Sequence, residues 1–203
     1  MPSMPSGPIT GPSAWIGPDL ARRNDWIWHL SEAHIAEIDA AIRHFKSTGV
    51  AMQDISVETF PLTTLKPALG AILGELLDGR GFVMIRGFPV ERYDIASAAM
   101  AYLGLGRYFG TLRSSNGRGH LLGHVKDVGA DISNGNTRFY QTSRRLDYHT
   151  DSADIVGLLC LQTAKSGGES FIASSMTLYN EILKRRPDLL PAAFMPYPHR
   201  PAR

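Results

Sequence analysis

The sequence predicts an α+β fold, with helices first and short strands after, and three observations carry that reading. Before Gly110, apolar residues recur at three- and four-residue steps in three separate stretches. After Gly110 the pattern changes to short apolar runs separated by Gly- and Ser-containing turns. Hydrophobic residues make up 43% of the chain and charged residues 20%, the balance of a folded chain with a core. Helices grouped ahead of strands favour α+β packing, the strands forming a sandwich or partial barrel.

The first helix is expected over residues 31–49, where Ile35, Ile38, Ile42 and Phe45 share a face, Ser31 caps the start and Gly49 suits the stop. A second is expected over residues 63–78, with Leu65, Leu69, Ile72, Leu73, Leu76 and Leu77 on a broad apolar face, ended by Gly79 and Gly81. Residues 82–85 read as a short buried strand closed by Arg86 and Gly87. Asp94 caps a third helix reaching about Phe109, with Tyr102 and Leu103 turned inward. A polar loop covers residues 111–119. Strand-like runs follow at 120–125, 137–142, 155–163 and 170–173. Ser174 or Ser175 then caps a last helix through Leu178, Ile182 and Leu183, which Pro187 helps to end.

With 203 residues and no internal repeat, one domain is expected: a flexible lead-in over 1–30, the domain proper over 31–190 and an irregular, proline-rich tail over 191–203. Lys plus Arg is 21 and Asp plus Glu is 19, a net charge of +2 that asks for neither nucleic acid nor an anionic membrane. The longest strongly apolar stretch, 155–161, is far shorter than the roughly 20 residues of a spanning helix. The first residues lack the basic start and apolar block of a secretory signal. A single cysteine, Cys160, suits a reducing compartment, and its apolar surroundings predict a buried thiol. Cytoplasmic location is the expectation.

The chemistry-bearing feature is Tyr148-His149-Thr150-Asp151. A carboxylate two places after a histidine arises by chance about 0.7 times in a chain of this composition, so the spacing alone is weak. On extended backbone, residues two apart point to one face, so imidazole and carboxylate converge. That ligand pair suits Fe(II), which needs a third arm and leaves positions open for a co-substrate and dioxygen. Downstream the only histidine is His199, flanked by Pro198 and Pro201, where a regular strand aimed at a metal is not expected. His120 and His124 share a face on a strand and read as structural histidines or as pocket contacts. His29, His34 and His44 read as surface or boundary residues. The Gly104-x-Gly106 and Gly117-x-Gly119 pairs lack the strand–helix context of nucleotide loops.

Several segments in order resemble the TauD/TfdA-like family of Fe(II)- and 2-oxoglutarate-dependent dioxygenases. They are GFVMIRGFPV at 81–90, LGLGRYFGTLRSSNGRGHLLGHVKD at 103–127, and the stretch from Leu146 to Leu190 with its aromatic-His-Thr-Asp box, apolar strand, Gly167-Gly168 turn and helix around Tyr179. The resemblance covers roughly residues 65–190. It implies a double-stranded β-helix, or jelly roll, of which this sequence would hold an incomplete core with N-terminal helices packed on it. It implies His149 and Asp151 as iron ligands, and Ser170 at the place of a threonine hydroxyl that contacts the 2-oxoglutarate co-substrate. Tyr140, Gln141 and Tyr148 become candidates to line the substrate pocket. The family's distal histidine and its 2-oxoglutarate-binding arginine fall in a later strand that is not recognised in this sequence. Two readings therefore stay open: a dioxygenase hydroxylating a small molecule, or a truncated, catalytically inactive remnant. An unclosed barrel edge would also favour self-association.

Overall fold

The architecture comes from a computed structural model that describes residues 5–116, 119–129 and 142–195. In chain order the elements are α1 (Gly17–Leu20), β1 (Ile27–His29), α2 (Glu32–Thr48), α3 (Lys66–Leu77), β2 (Met84–Arg86), α4 (Ile95–Gly106), α5 (Ser175–Arg185) and α6 (Leu190–Ala193). Single 3-10 turns stand at Met52–Asp54, Val90–Arg92 and Pro187–Leu189.

The helix starts follow from their capping chemistry. Ser31 Oγ accepts from His34 N at 3.3 Å, while Ser31 N donates to His34 Nδ1 at 3.1 Å, a reciprocal cap in which histidine stands in for the usual glutamate. Gly49 closes α2 at φ 68°, a left-handed conformation that only glycine adopts without strain. Asp94 accepts from Ser97 N at 2.6 Å to start α4. The start of α3 is capped from outside. Glu37, on α2, accepts from Thr63 N, Thr64 N and Leu65 N at 2.6, 2.7 and 2.8 Å, a carboxylate set at the positive end of the helix.

These helices enclose the core. Ile35, Ile38, Ile42 and Phe45 from α2 meet Leu65, Leu69 and Ile72 from the α3 region, Ala101 and Leu103 from α4, and Phe60 and Leu62 between them. Gly104 is required there, because a Cβ would lie 2.4 Å from two atoms of the fully buried Phe60 ring. β1 and β2 pair in parallel, with Ile27 opposite Met84, Trp28 opposite Ile85 and His29 opposite Arg86. Two helices lie between them in sequence, the long crossover a parallel pair needs.

The three early helices stand where the periodicity put them, within a few residues at each end. Residues 82–85 differ: the strand is shifted to Met84–Arg86, and all three of its residues are exposed in a sheet that, among the described residues, has two strands. The segment expected as a lead-in carries α1 and β1, and residues 5–16 lie against α5. Pro187 opens a 3-10 turn past the end of α5. Leu77 is exposed despite its place in the apolar pattern.

The strands expected after Gly110 are not formed among the described residues. Residues 120–125, 155–163 and 170–173 run without regular structure, and most of 137–142 lies outside the described residues. A strand exists as a member of a hydrogen-bonded ladder, and among the described residues no backbone–backbone bond joins any part of 142–173. An incomplete double-stranded β-helix is therefore not what the described residues build. Cys160, expected to be buried, is exposed for the same reason.

Candidate metal centre

The candidate ligands lie on the irregular segment between α4 and α5. His149 is exposed, and its Nδ1 stands 2.8 Å from the Asp147 carbonyl oxygen. A carbonyl only accepts, so Nδ1 carries the proton and the lone pair of the neutral ring belongs to Nε2. Metal-binding histidines are commonly oriented this way, one nitrogen donating to a carbonyl and the other left for the ion. Asp151 is exposed, and among the described residues no hydrogen bond or ion pair engages its carboxylate.

The segment passes close to the helical core at Gly157, where an added Cβ would lie 2.8 Å from the Tyr102 hydroxyl of α4. Burial raises the Tyr102 phenol above its ordinary value, so the hydroxyl meets Gly157 as a neutral group. Val156 (54%), Gly157 and Leu158 (75%) are exposed, while Ile155 and Leu159 on either side of them are half-buried. Gly167 and Gly168 follow at φ 71° and 78°, consecutive left-handed residues that turn the chain back. Ser170 lies just beyond, exposed, its hydroxyl without a partner among the described residues.

As donors, His149 Nε2 and Asp151 fit two arms of a ferrous site in chemical type. Among the described residues no group of three His, Cys, Asp or Glu stands together to hold a metal. Tyr148 is 63% exposed, and neither it, His149, Asp151 nor Ser170 lines either of the two apolar grooves along α5 and α6. Tyr140, Gln141 and His199 lie outside the described residues. His120 Nδ1 is 3.1 Å from Asn116 Nδ2, in a tight turn where Ser115 N and Oγ both donate to the His120 carbonyl. That places it as a structural histidine. His34 is spent on its cap and a stack with Trp28.

A family model described as taurine catabolism dioxygenase TauD, TfdA family matches residues 42–201. The chain belongs to the TauD/TfdA family. Membership brings a jelly-roll fold as the family architecture and supports a dioxygenase-type function. Among curated relatives, FR-33289 synthase of Streptomyces rubellomurinus (strain ATCC 31215) is 34% identical over 184 residues, covering 90% of this chain and 54% of that protein. The taurine hydroxylase-like protein SAT17 of Stachybotrys chartarum (strain CBS 109288 / IBT 7711) is 31% identical over 192 residues, covering 91% of this chain and 50% of that protein. This TauD/TfdA-family chain spans about half the length of the curated relatives it matches. Among the described residues no helix is long and apolar enough to cross a membrane.

Proposed function

We propose that the chain carries two arms of an Fe(II)- and 2-oxoglutarate-dependent hydroxylation site, with His149 and Asp151 as the iron donors and Ser170 as a hydroxyl contact for the co-substrate. The observation that carries the reading is the His149 ring: its Nδ1 proton is spent on the Asp147 carbonyl, leaving Nε2 free two residues before an unengaged carboxylate, in a chain of this family. Iron, when bound with 2-oxoglutarate and dioxygen, supplies the oxidising power to place one oxygen atom in a substrate C–H bond, the co-substrate leaving as succinate and carbon dioxide. This chain's own part is to present a neutral, singly oriented imidazole, a carboxylate and a neutral donor hydroxyl. The substrate class is a small organic molecule. Tyr148, Tyr140 and Gln141 are proposed to line its pocket.

Succinate formation from 2-oxoglutarate, dependent on added Fe(II) and oxygen, tests the activity. Anaerobic equilibrium dialysis tests the donors directly. His149→Ala and Asp151→Ala are each expected to weaken Fe(II) binding at least about tenfold. Equal binding by wild type and both variants would reject the assignment. Binding without turnover would instead favour the inactive remnant, a chelate that does not complete the reaction.

The exposed faces of Val156, Leu158, Phe171 and Ile172 support a further proposal: a second copy of the chain covers this segment.

A further inference from the structure

Residues 5–15 lie along α5 in a way that no catalytic reading uses. Four side chains at the start of α5 bond to the main chain of this segment. Tyr179 Oη donates to the Pro5 carbonyl at 2.9 Å. Asn180 accepts from Ile9 N through Oδ1 and donates to Ile9 O through Nδ2, both at 2.7 Å, completing the backbone pair a neighbouring strand would make. Ser174 Oγ donates to the Ser13 carbonyl at 2.6 Å, and Thr177 Oγ1 donates to the Trp15 carbonyl at 2.6 Å. Burial alternates over residues 5–10, as it does for an extended chain resting on a surface. Ile9 also fills one wall of the apolar groove formed with Tyr179, Ile182, Leu190 and Phe194.

The far end of the segment is tied to the helical half. Trp15 Nε1 donates to the Arg80 carbonyl at 2.9 Å, and its ring meets Phe82 edge-on at 5.2 Å, two residues before β2. Meanwhile α5 and α6 pack on each other and on the Pro187–Leu189 turn, and Tyr179 and Leu190, though buried, stand outside the main apolar cluster. We infer that residues 5–15 are a strap that clasps the α5–α6 unit to the helical core, with α5 recognising main chain through Ser174, Thr177, Tyr179 and Asn180. Where it meets α5, recognition of main chain makes the strap tolerant of side-chain changes and intolerant of losing the Ile9 N–H. The strap also fixes the downstream anchor of segment 142–173, whose upstream anchor is α4.

Hydrogen exchange on the full chain, read by mass spectrometry, tests this. Ile9→Pro removes the N–H that Asn180 accepts, and Asn180→Ala removes both bonds. Each is expected to speed exchange over 175–185 about tenfold or more, with 32–48 unchanged within about twofold. Ile9→Val and Ser13→Ala keep the main-chain groups and are expected to leave both helices as in the wild type. Unchanged exchange in 175–185 after Ile9→Pro and Asn180→Ala overturns the strap, as does an equal rise in both helices. Faster exchange in 175–185 after Ser13→Ala overturns the main-chain reading.

Discussion

Glu37→Ala removes one side chain and leaves three backbone donors without their acceptor. The Glu37 carboxylate takes Thr63 N, Thr64 N and Leu65 N at 2.6–2.8 Å, so it both caps α3 and pins it to α2. Thr63 and Thr64 are exposed, and water replaces the carboxylate there at a cost of about 0.5 kcal/mol each. Leu65 is fully buried, so its N–H is left unsatisfied at about 1–2 kcal/mol. Losing the favourable charge at the helix start adds about 0.5 kcal/mol. The expected total is about 2.5–3.5 kcal/mol. With a urea dependence of about 2 kcal/mol per molar, the unfolding midpoint should fall by about 1.2–1.8 M at unchanged slope. Glu37→Gln keeps an acceptor oxygen and should lose about half as much. A Glu37→Ala midpoint within about 0.2 M of wild type would refute the cap, and equal losses for Ala and Gln would refute the role of the remaining acceptor.

Three further outcomes follow from the geometry. Gly104→Ala drives a methyl into the Phe60 ring and should cost about 1–3 kcal/mol, read as a lowered thermal midpoint; a wild-type midpoint would mean that Phe60 has room to turn. Hydrogen bonds from Arg23 first, then Arg80, hold the exposed Asp25 carboxyl down at about 2 from 3.8. Because its folded value is depressed, its contribution is complete above 3.8 and lost as pH falls through about 2. Trp26 Nε1 donates to the Arg23 carbonyl at 2.9 Å, so an acid step in tryptophan fluorescence across that window should shrink in Asp25→Asn; identical curves would count against the pairing. Leu158→Lys places a charge on the most exposed large apolar residue of segment 155–161 and should lower the sedimentation-averaged mass at high concentration. A monomer in both proteins would remove the proposed self-association.

The helical half was legible because its determinants are local. Ser31, Gly49 and Asp94 act on residues within one turn of themselves, and the spacing of Ile35, Ile38, Ile42 and Phe45 reports a face that any partner buries. Glu37 was not legible: its acceptor role depends on α2 and α3 meeting, and its neighbours in sequence show nothing of it. The strap was missed for the same reason, since Asn180 and Ile9 are 171 residues apart and a Pro- and Gly-rich start carries no periodicity. β1 was hidden in that start, three residues long and defined only by its partner β2. The strands after Gly110 were read from apolar runs, but a run such as 155–161 shows β-propensity without naming a ladder partner. For the site, the His149–Asp151 spacing was readable, whereas the Asp147 carbonyl that selects the His149 tautomer was not.

That tautomer is, among the described residues, the pre-set feature of the candidate centre, and its isolation has an energetic consequence. His149 is oriented by a bond to a residue only two positions away, while Asp151 has no partner among the described residues and no ladder holds the intervening backbone. Fixing residues 149–151 around an ion then costs about 1–2 kcal/mol per residue in backbone entropy, or about 3–6 kcal/mol. Each 1.4 kcal/mol is tenfold in affinity, so that ordering amounts to about two to four decades. On the proposed reading, metal affinity would therefore be governed less by His149 and Asp151 than by whatever orders segment 142–173. Its anchors are the Gly157–Tyr102 contact on one side and, through α5, the strap of residues 5–15 on the other. A backbone neighbour laid beside residues 155–161 would raise affinity without touching a ligand, because it would settle in advance the entropy that the ion must otherwise offset.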